Sequence, residues 1–419
     1  MLATNTIAQG DTREVGLDYL TAAGGTIIRA FKSRPWPGDA SLEVAEVWLH
    51  RGFWSGVTML DDVPVAAITS ALEPKGRVSG LAHRLGASAG RCFQGSLVLG
   101  SGFLLAPQEA QEFIDRDRRN ANVLFPYLNG EDLNTSPDQS PSRWVINFGE
   151  MSEREAREFG ELWLHVERAV KPERMTKDAA KYPSMVSEWW RFWRIRAELY
   201  RAIGELSRVL AIALTSKTVV PLFVPAGSVY SHALGVFAYD DDAHLGLLSS
   251  GFHYLWAVTR ASTMRTDIRY TPTDCFETFP QPELTEAVGK AGSALDAHRR
   301  ALMLDRWEGL TKTYNRVHDP DERAEDIGEL RRLHVELDHA VAVAYGWDDL
   351  PTDHDFHETR QGVRYTLGPA TRTELLDRLL ELNHQRAAAE AAAGVTRQRR
   401  GGARRRRQPG GGQTSLEAL

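Results

Sequence analysis

The sequence has little cysteine and no long apolar run, and these two absences exclude several classes of protein. Cys92 and Cys275 are its two cysteines, far apart and in no metal-ligand spacing, so a disulfide framework and a zinc ribbon are both excluded. A bilayer-spanning helix needs about 20 consecutive apolar residues, and no segment approaches that length. The amino terminus also lacks the basic start and apolar stretch of a secretory signal. We therefore expect a cytoplasmic protein without a membrane partner.

The short motifs of many enzymes are missing as well. There is no phosphate-cradling loop of the G-x-G-x-x-G or G-x-x-x-x-G-K-[ST] type, no G-x-S-x-G nucleophile elbow, no H-E-x-x-H helix and no kinase signature. What is present is an ordinary globular composition: 419 residues, 42% hydrophobic and 25% charged. Such a chain is long enough for two or three domains, and disorder of the whole chain is excluded.

The formal net charge of −6 conceals an uneven distribution. Residues 396–419 carry seven arginines, among them Arg404, Arg405 and Arg406, against one acid, which leaves −12 for residues 1–395. This glycine-rich segment has no apolar residue that could drive packing, so it is predicted to be a disordered cationic tail. Such a tail suits a polyanion, because each phosphate that it neutralises releases counterions. A solvated tail that aids solubility is the alternative interpretation.

The pattern of apolar residues predicts an α+β, multidomain chain. Residues 1–9 are predicted as a strand, 12–22 as a helix, 26–31 as a strand and 41–52 as a further strand, antiparallel to the last. Further strands are predicted at 95–106, 142–149, 218–226 and 233–240, and a helical region with breaks at Pro172 and Pro183 at 152–214. The second part of that region, 184–214, is predicted as one packed helix. Beyond residue 283 we predict helical hairpins, with helices at 321–347 and 371–394.

Three polar clusters contain the residue types of metal sites. His334 and Asp338 lie one helical turn apart, the HDFHE string at 354–358 combines two histidines with two acids, and three aspartates occupy 240–242. No further ligands are evident for any of them. A solvated helix face or loop is therefore the favoured interpretation of the first two clusters, and a hairpin turn that of the aspartates. We expect no metal site.

Cations alternate with aromatic residues at three places: Arg143–Trp144, the KPER run with Lys171 and Arg174, and the WWRFWRIR cluster around Arg191. Guanidinium groups bind phosphates or guanine edges, and aromatic faces stack on bases, so this mixture suits a nucleic-acid surface. Tryptophans at helical spacing are also typical of a core, where arginine stems stack on the rings. Both interpretations stay open on these residues alone.

Eight strings, in order along the chain up to about residue 393, resemble large adenine-specific DNA methyltransferases of the fused restriction-modification type (type IIG or IIL-like) and of related phage-defence systems. The strings are ATNTIAQGDTREVGLDYL, TIIRAFKSRPWPGDASLEV, RCFQGSLVLGSGF, LFPYLNGEDLNTSPDQSPSRWVINFG, VKPER, RYTPTDCFETFPQP, TYNRVHDPDE and LRRLHVELDHAVAVAYGWDDL.

The resemblance implies four parts. Residues 1–65 look like the last strands of a mixed α/β methyltransferase sheet, 66–285 like an α+β target-recognition domain that binds DNA, and 286–395 like a C-terminal region of helical hairpins, followed by the disordered basic tail at 396–419. Double-stranded DNA is the implied partner. The implied DNA contacts are Arg143, Trp144, Lys171, Arg174, Arg191, Arg404, Arg405 and Arg406.

The resemblance also singles out polar residues beside the implied sites. Asn129, Asp132 and Asp274 are either acceptors for base amino groups or simple turn formers. Asn5, Thr6 and Gln9 match the strand end at the edge of the family's flipped-adenine pocket, although capping of the following helix explains them equally well.

Two catalytic elements of the family are not found in residues 1–419: the glycine-containing loop that binds S-adenosylmethionine, and the Asn-Pro-Pro-Tyr or Phe motif that holds the adenine amino group. Methyl transfer needs an extruded adenine and a methyl group held in line with its amino group. We therefore expect no catalytic residue, no bound cofactor and no DNA methylation by this chain alone. S-adenosylmethionine is expected only when a partner polypeptide, encoded upstream, completes the enzyme. A non-catalytic DNA-binding specificity subunit and a decayed fragment are the alternatives.

Overall fold

The computed structural model describes residues 1–8, 10–37, 42–264, 267–359 and 361–394. Several small sheets with helices packed on them make up this part of the chain, which confirms the predicted α+β, multidomain class. None of the described helices is both long and apolar enough to cross a membrane.

The first sheet is built from residues before Ile68 and has the strand order β1-β3-β2-β4-β5. Its strands are β1 (Leu2–Thr4), β2 (Gly25–Pro35), β3 (Glu43–Arg51), β4 (Thr58–Leu60) and β5 (Val63–Val65). Strand β3 runs antiparallel to β1 and to β2, and β2 runs parallel to β4. The predicted strand-helix-strand order and the antiparallel pair are confirmed. A helical segment made of α1 (Gly10–Arg13), a π-helical turn (Glu14–Asp18) and α2 (Tyr19–Ala22) packs on the sheet through Leu17.

Three further sheets occupy the middle of the chain, in the orders β12-β10-β14-β6, β13-β8-β9-β7 and β11-β16-β15. Their strands are β6 (Cys92–Gln94), β7 (Leu104–Leu105), β8 (Leu124–Leu128), β9 (Arg143–Ile146), β10 (Arg208–Ala213), β11 (Thr215–Ser216), β12 (Leu222–Pro225), β13 (Val229–Tyr230), β14 (Leu234–Phe237), β15 (Ser262–Met264) and β16 (Asp267–Arg269). The predicted strands at 142–149, 218–226 and 233–240 are thus confirmed as β9, β12 and β14.

Short helices connect these strands. They are α3 (Pro107–Arg116), α4 (Gly130–Thr135), α5 (Glu153–Arg157), α6 (Gly160–Ala169), α7 (Lys171–Met175), α8 (Pro183–Ser187), α9 (Ala197–Ile203), α10 (Asp242–Ser249) and α11 (Gly251–Arg260). Helix α10 begins at the three aspartates, where we predicted a hairpin turn. That prediction is wrong, because the Asp241 carboxylate accepts from the His244 backbone N–H at 2.9 Å and caps the helix.

The single packed helix predicted over 184–214 is also wrong. The structure places α8, a turn, α9 and strand β10 there. Trp189 and Trp190 are both buried and lie in the turn after α8, not in a helix. Strand β10 lies between β12 and β14 and is apolar along its length. A short apolar run of this kind has no periodicity that separates a buried strand from a buried helix.

The strand predicted over 95–106 is broken by its glycines. Strand β6 ends just before this region, and within it the structure has one short strand, β7. Gly100 adopts a φ of 144° and Gly102 sits where a Cβ would lie 2.5 Å from the Cβ of Ala169. The backbone between the two strands therefore bends closely around helix α6.

The C-terminal region consists of long helices and one hairpin. The helices are α12 (Glu286–Arg306), α13 (Leu310–Val317), α14 (Glu325–Tyr345) and α15 (Pro369–Ala392), and the hairpin strands are β17 (His354–Thr359) and β18 (Gly362–Leu367). The predicted helices at 321–347 and 371–394 are confirmed as α14 and α15. Gly346 ends α14 with a φ of 71°, as the glycine stop predicted. The hairpin at 354–367 was not predicted.

One hydrophobic core joins the middle and C-terminal parts of the chain. Buried residues of β10, β12 and β14 form a single cluster with buried residues of α12, α14 and α15. Helices α10 and α12 touch at Gly246 and Gly292, where a Cβ on Gly292 would lie 2.8 Å from the Gly246 Cα. The C-terminal helices are therefore part of the frame that positions the recognition sheets.

Candidate nucleic-acid interface

An open groove of about 650 Å³ lies at the start of strand β9. It is lined by Leu104, Tyr127, Asn129, Glu131, Asp132, Thr135, Ser142 and Arg143. Arg143 is paired with Tyr127 across the β8–β9 ladder, which fixes its backbone. Its side chain is exposed, and it makes no hydrogen bond or ion pair with any described residue. The groove therefore presents a guanidinium that is free to bind an external acceptor.

The base of this groove is helix α4, capped by Asn129. The Asn129 Oδ1 accepts from the backbone N–H groups of Glu131 and Asp132 at 2.7 and 3.0 Å, and its Nδ2 donates to the Asp132 carboxylate at 2.9 Å. Of the two interpretations offered for Asn129 and Asp132, the structure supports the turn former, since both are used to start the helix. Glu131 is exposed and carries the free carboxylate of the groove.

The groove thus combines a free guanidinium with a free carboxylate. A guanidinium can donate two parallel hydrogen bonds to a phosphate or to the O6 and N7 of guanine, and a carboxylate can accept from the amino group of cytosine. Both chemistries match the edges and backbone of a duplex.

Arg174 is not available to DNA, which corrects its prediction as a contact. Its side chain is buried, with 1% of the residue exposed, and it donates to the carbonyl oxygens of Val98 and Leu99 at 2.9 and 2.6 Å. Burial lowers the pKa of this guanidinium from its usual value. Arg174 instead fixes the loop between β6 and β7, in which Leu99 has a φ of 47°.

Arg191 and Lys171 are likewise held by the protein. Arg191 donates to the carbonyl oxygen of Met151 at 2.7 and 2.9 Å and pairs with Glu188 at 2.8 Å. Lys171 pairs with Glu167 at 2.8 Å, and its Nζ lies 4.8 Å from the centroid of the Trp189 ring. Both cations thus have partners within the protein, and their contact with DNA stays a prediction.

The tryptophans near these cations are core residues. Trp163, Trp189 and Trp190 pack on one another with ring centroids 4.8 to 6.2 Å apart. Trp144 is partly buried against the same cluster, and its contact with DNA stays a prediction. Of the predicted DNA contacts in the described part of the chain, Arg143 alone keeps its polar head free.

The other predicted sites have these positions. Asn5 donates from Nδ2 to the Ser33 hydroxyl at 3.2 Å, and the Thr6 hydroxyl lies 2.7 Å from that of Thr4. Asp274 is exposed and pairs with Arg84 at 3.3 Å. Gln9, Arg404, Arg405 and Arg406, and with them the predicted disordered tail, lie outside the described residues.

The Asp338 and His354 side chains are buried and hydrogen bonded, so the solvated helix face predicted for the first cluster is wrong at Asp338. In the HDFHE string, Asp355 and Glu358 are exposed, as predicted, but they lie on strand β17. Asp338 is fully buried, accepting from the Gly251 N–H at 2.7 Å and contacting His354 Nε2 at 2.8 Å. His334 Nε2 lies 2.8 Å from the Tyr314 hydroxyl, and burial lowers its pKa to about 3. No group of three or more potential metal ligands is found among the residues that the structure describes.

Sequence reasoning missed a concentration of exposed apolar side chains in the first sheet. Ten of the eighteen large hydrophobic side chains exposed in the described residues lie between Met1 and Val63, led by Phe53 at 88% and Val15 at 79% exposure. A soluble surface rarely concentrates apolar side chains in this way, and such a patch marks an interaction site. Strand periodicity predicts which face of a strand is apolar but not whether a neighbour covers it.

Comparisons with known proteins agree with this geometry. The family described as the MmeI target recognition domain matches residues 88–283, which contain the groove. A solved structure of the type IIL restriction-modification enzyme MmeI in complex with DNA superimposes with a TM-score of 0.68 at 18% identity, over 92% of this chain and 49% of that one. DNA methyltransferase A of Bacillus subtilis (strain 168) is 27% identical over 150 residues, 35% of this chain and 16% of that protein. The chain thus spans about half, or less, of the length of these relatives.

These matches confirm the resemblance predicted from the sequence. Residues 88–283 are the part of the chain that matches the MmeI target recognition domain.

Proposed function

We propose that this chain is the DNA-recognition part of a site-specific adenine (N6) DNA methyltransferase of a restriction-modification or phage-defence system. The observation that carries the proposal is the match of residues 88–283 to a target recognition domain whose groove exposes an unpaired arginine, Arg143. A recognition domain needs cations that no protein carboxylate has already neutralised, because only these gain a partner when DNA binds.

The groove can both read and hold a duplex. Arg143 begins a strand that is held on both sides, by β7 and β8, so little conformational freedom is lost when its head group binds. A guanidinium on such a fixed support favours two-pronged contact with guanine or with a phosphate. Glu131, on the same groove, disfavours a phosphate beside it and accepts a base amino group instead.

We further propose that catalysis belongs to polypeptide other than residues 1–419. The first sheet ends at β1, which is paired only with β3 among the described strands and so keeps a free edge. A free edge beside many exposed apolar side chains is typical of a sheet that continues in another segment. That segment would carry the Asn-Pro-Pro motif and the cofactor loop.

The residues at the end of β1 do not fit S-adenosylmethionine by themselves. Asn5 donates to Ser33, and the Ser33 hydroxyl donates to the Glu43 carboxylate at 2.8 Å, so these polar groups satisfy one another. Cofactor binding, and with it the role of Asn5, Thr6 and Gln9 at the edge of an adenine pocket, is a proposal about the completed enzyme.

The proposed DNA contact is tested by changing Arg143 in the full chain. Binding of a mixed-sequence duplex by Arg143→Ala is expected to weaken roughly 5- to 100-fold, since one bidentate arginine contact is worth about 1–3 kcal/mol. Arg143→Lys keeps the charge but not the fork, so it is expected to restore a phosphate contact and not a base contact. Fluorescence anisotropy of a labelled duplex measures all three proteins.

Arg168→Ala is the matched control, since Arg168 is exposed on α6, outside the groove, and makes no hydrogen bond or ion pair with a described residue. It is expected to bind like the wild type. Equal affinity of Arg143→Ala and wild type would remove the groove from the DNA interface, and failure of the wild type to bind any duplex would refute the proposed function itself.

A further inference from the structure

Trp307 is an exposed tryptophan in a strained backbone conformation. It follows α12 with a φ of 52° and a ψ of 45°, and 73% of the residue is exposed. For a bulky residue the left-handed region is unfavourable, because Cβ crowds the backbone, and such residues occur there mostly where function requires them. An exposed indole also gains nothing from the folded core.

The fold itself does not require a tryptophan at this place. The N–H groups of Trp307 and Glu308 bond back to the carbonyl oxygens of Leu304 and Met303, which is the Schellman ending of a helix. Helix α14 ends in the same pattern, and there the left-handed residue is Gly346, with a φ of 71°. Glycine is the usual residue at this position because it has no Cβ. The same turn could thus be made without strain.

The segment after Trp307 is fixed next to the groove. The Glu308 carboxylate accepts two hydrogen bonds from Arg316, both at 2.8 Å, and this pairing lowers its pKa. Gly309 is pressed on the end of α4: a Cβ there would lie 2.4 Å from the carbonyl carbon of Thr135, a residue that lines the groove. The backbone that follows Trp307 is therefore held in place, and Trp307 lies two residues from this contact.

A second exposed cation lies on a helix that packs against α4. Lys312 is exposed on α13, the helix that packs against α4, and it makes no hydrogen bond or ion pair with the described residues. Arg143 and Lys312 are thus two exposed cations without an ion pair, Lys312 lying near the Glu308 carboxylate that follows Trp307, and Trp307 adds an exposed aromatic face. This combination binds the phosphates and the flat faces of nucleotides.

We infer that Trp307 is a DNA-contacting residue, which packs its indole face on a base or deoxyribose of a duplex lying across Arg143 and Lys312. The inference rests on the proposed function and extends the DNA interface from the target recognition domain to the C-terminal helices. Because the backbone at Trp307 is fixed by the helix-ending hydrogen bonds, binding has to order only the side-chain torsions of the ring.

The substitution Trp307→Gly separates this role from a structural one. Glycine relieves the positive φ, so the thermal midpoint of the variant is expected to equal or exceed that of the wild type. Affinity for a mixed-sequence duplex is expected to fall roughly 5- to 100-fold, as for loss of one aromatic stack. Trp307→Phe, which keeps an aromatic face, is expected to retain most of the affinity.

The salt dependence of binding distinguishes the indole from the cations. Trp307→Gly is expected to leave the slope of log K against log salt unchanged, whereas Lys312→Ala is expected to reduce its magnitude by about 1. Leu164→Ala, which removes an exposed apolar side chain on α6, is the control and is expected to bind like the wild type.

Two outcomes would overturn the inference while leaving the proposed function intact: wild-type affinity of Trp307→Gly in a protein whose Arg143→Ala variant binds weakly, or a Trp307→Gly variant whose loss of affinity is matched by a lower thermal midpoint. Failure of the wild type to bind duplex DNA would instead refute the proposed function.

Discussion

Arginines of this chain that look alike in sequence have opposite roles. Arg143 and Arg174 both stand beside apolar or aromatic neighbours, yet Arg143 is exposed without a partner and Arg174 is buried on the carbonyl oxygens of Val98 and Leu99. The difference lies in contacts about 75 residues away along the chain, because the loop before β7 closes over α7. The local sequence does not show which distant carbonyl oxygens a side chain will meet. More residues were therefore predicted to contact DNA than have a free charged group in the structure.

Buried histidines make the fold sensitive to acid. Burial lowers the pKa of His334 from 6.5 to about 3, with Arg299 and His354 nearby, and the pKa of His253 to about 4. Above pH 6.5 these side chains are neutral in the folded and the unfolded chain. Below it the unfolded chain binds protons that the folded chain excludes, so the free energy of unfolding falls as the pH falls.

The substitution His334→Asn tests this effect at one residue. Asparagine can still hydrogen bond to Tyr314 but does not titrate. The unfolded variant therefore binds one proton fewer in acid than the unfolded wild type. Between pH 6.5 and about 3 the wild type is expected to lose up to about 1.4 kcal/mol per pH unit more than the variant. Urea unfolding across this window measures both proteins. Parallel stability curves would show that His334 is not held neutral.

At the scale of elements, the contact between α10 and α12 joins the recognition sheets to the C-terminal helices. A Cβ on Gly292 would lie 2.3 Å from the carbonyl oxygen of Asp242, a backbone atom that cannot turn aside. We expect Gly292→Ala to lower the free energy of unfolding by about 1–3 kcal/mol, the usual cost of overpacking. Chemical denaturation measures the loss.

Gly328 provides the matched control for that substitution. It lies within α14, and no heavy atom of the neighbouring structure lies within 4 Å of an added Cβ. Gly328→Ala is expected to stabilise the protein by about 0.5–1 kcal/mol through helix propensity. A Gly292→Ala variant that is as stable as Gly328→Ala would mean that the two helices are not in close contact.

The elements that sequence predicted correctly are those with a strong local pattern. Helix α14 has apolar residues at helical spacing and a glycine stop, and β2 and β3 have apolar or β-branched residues separated by turn residues. The prediction for 184–214 failed because Trp189 and Trp193 lie at helical spacing although the chain forms a turn there. The β17–β18 hairpin was missed because polar histidines and acids hide its alternation.

The candidate site was predictable only in part, for the same reason. Arg143 was found from its residue type and its neighbour, and Asn129 from its turn-forming character. Trp307 and Lys312 were missed, because their position beside α4 depends on the packing of α13, more than 170 residues further along the chain. The local signal for Trp307 was a tryptophan at the helix end where a glycine is usual.

For the whole molecule, the distribution of exposed apolar groups separates two surfaces. Most of the exposed large apolar side chains belong to the first sheet and its connections, where strand β1 also has a free edge. The groove instead exposes the cation Arg143. This distribution is what we expect if the proposed catalytic part binds the first sheet and the proposed duplex binds the groove.

The central claim is that this chain recognises a DNA sequence, and selection from a pool of random duplexes tests it most directly. The full-length chain is expected to enrich one short motif over successive rounds, and Arg143→Ala is expected to lose the preference at one or more positions of that motif. Retention of duplexes without enrichment of any motif, equally by wild type and Arg143→Ala, would contradict the account.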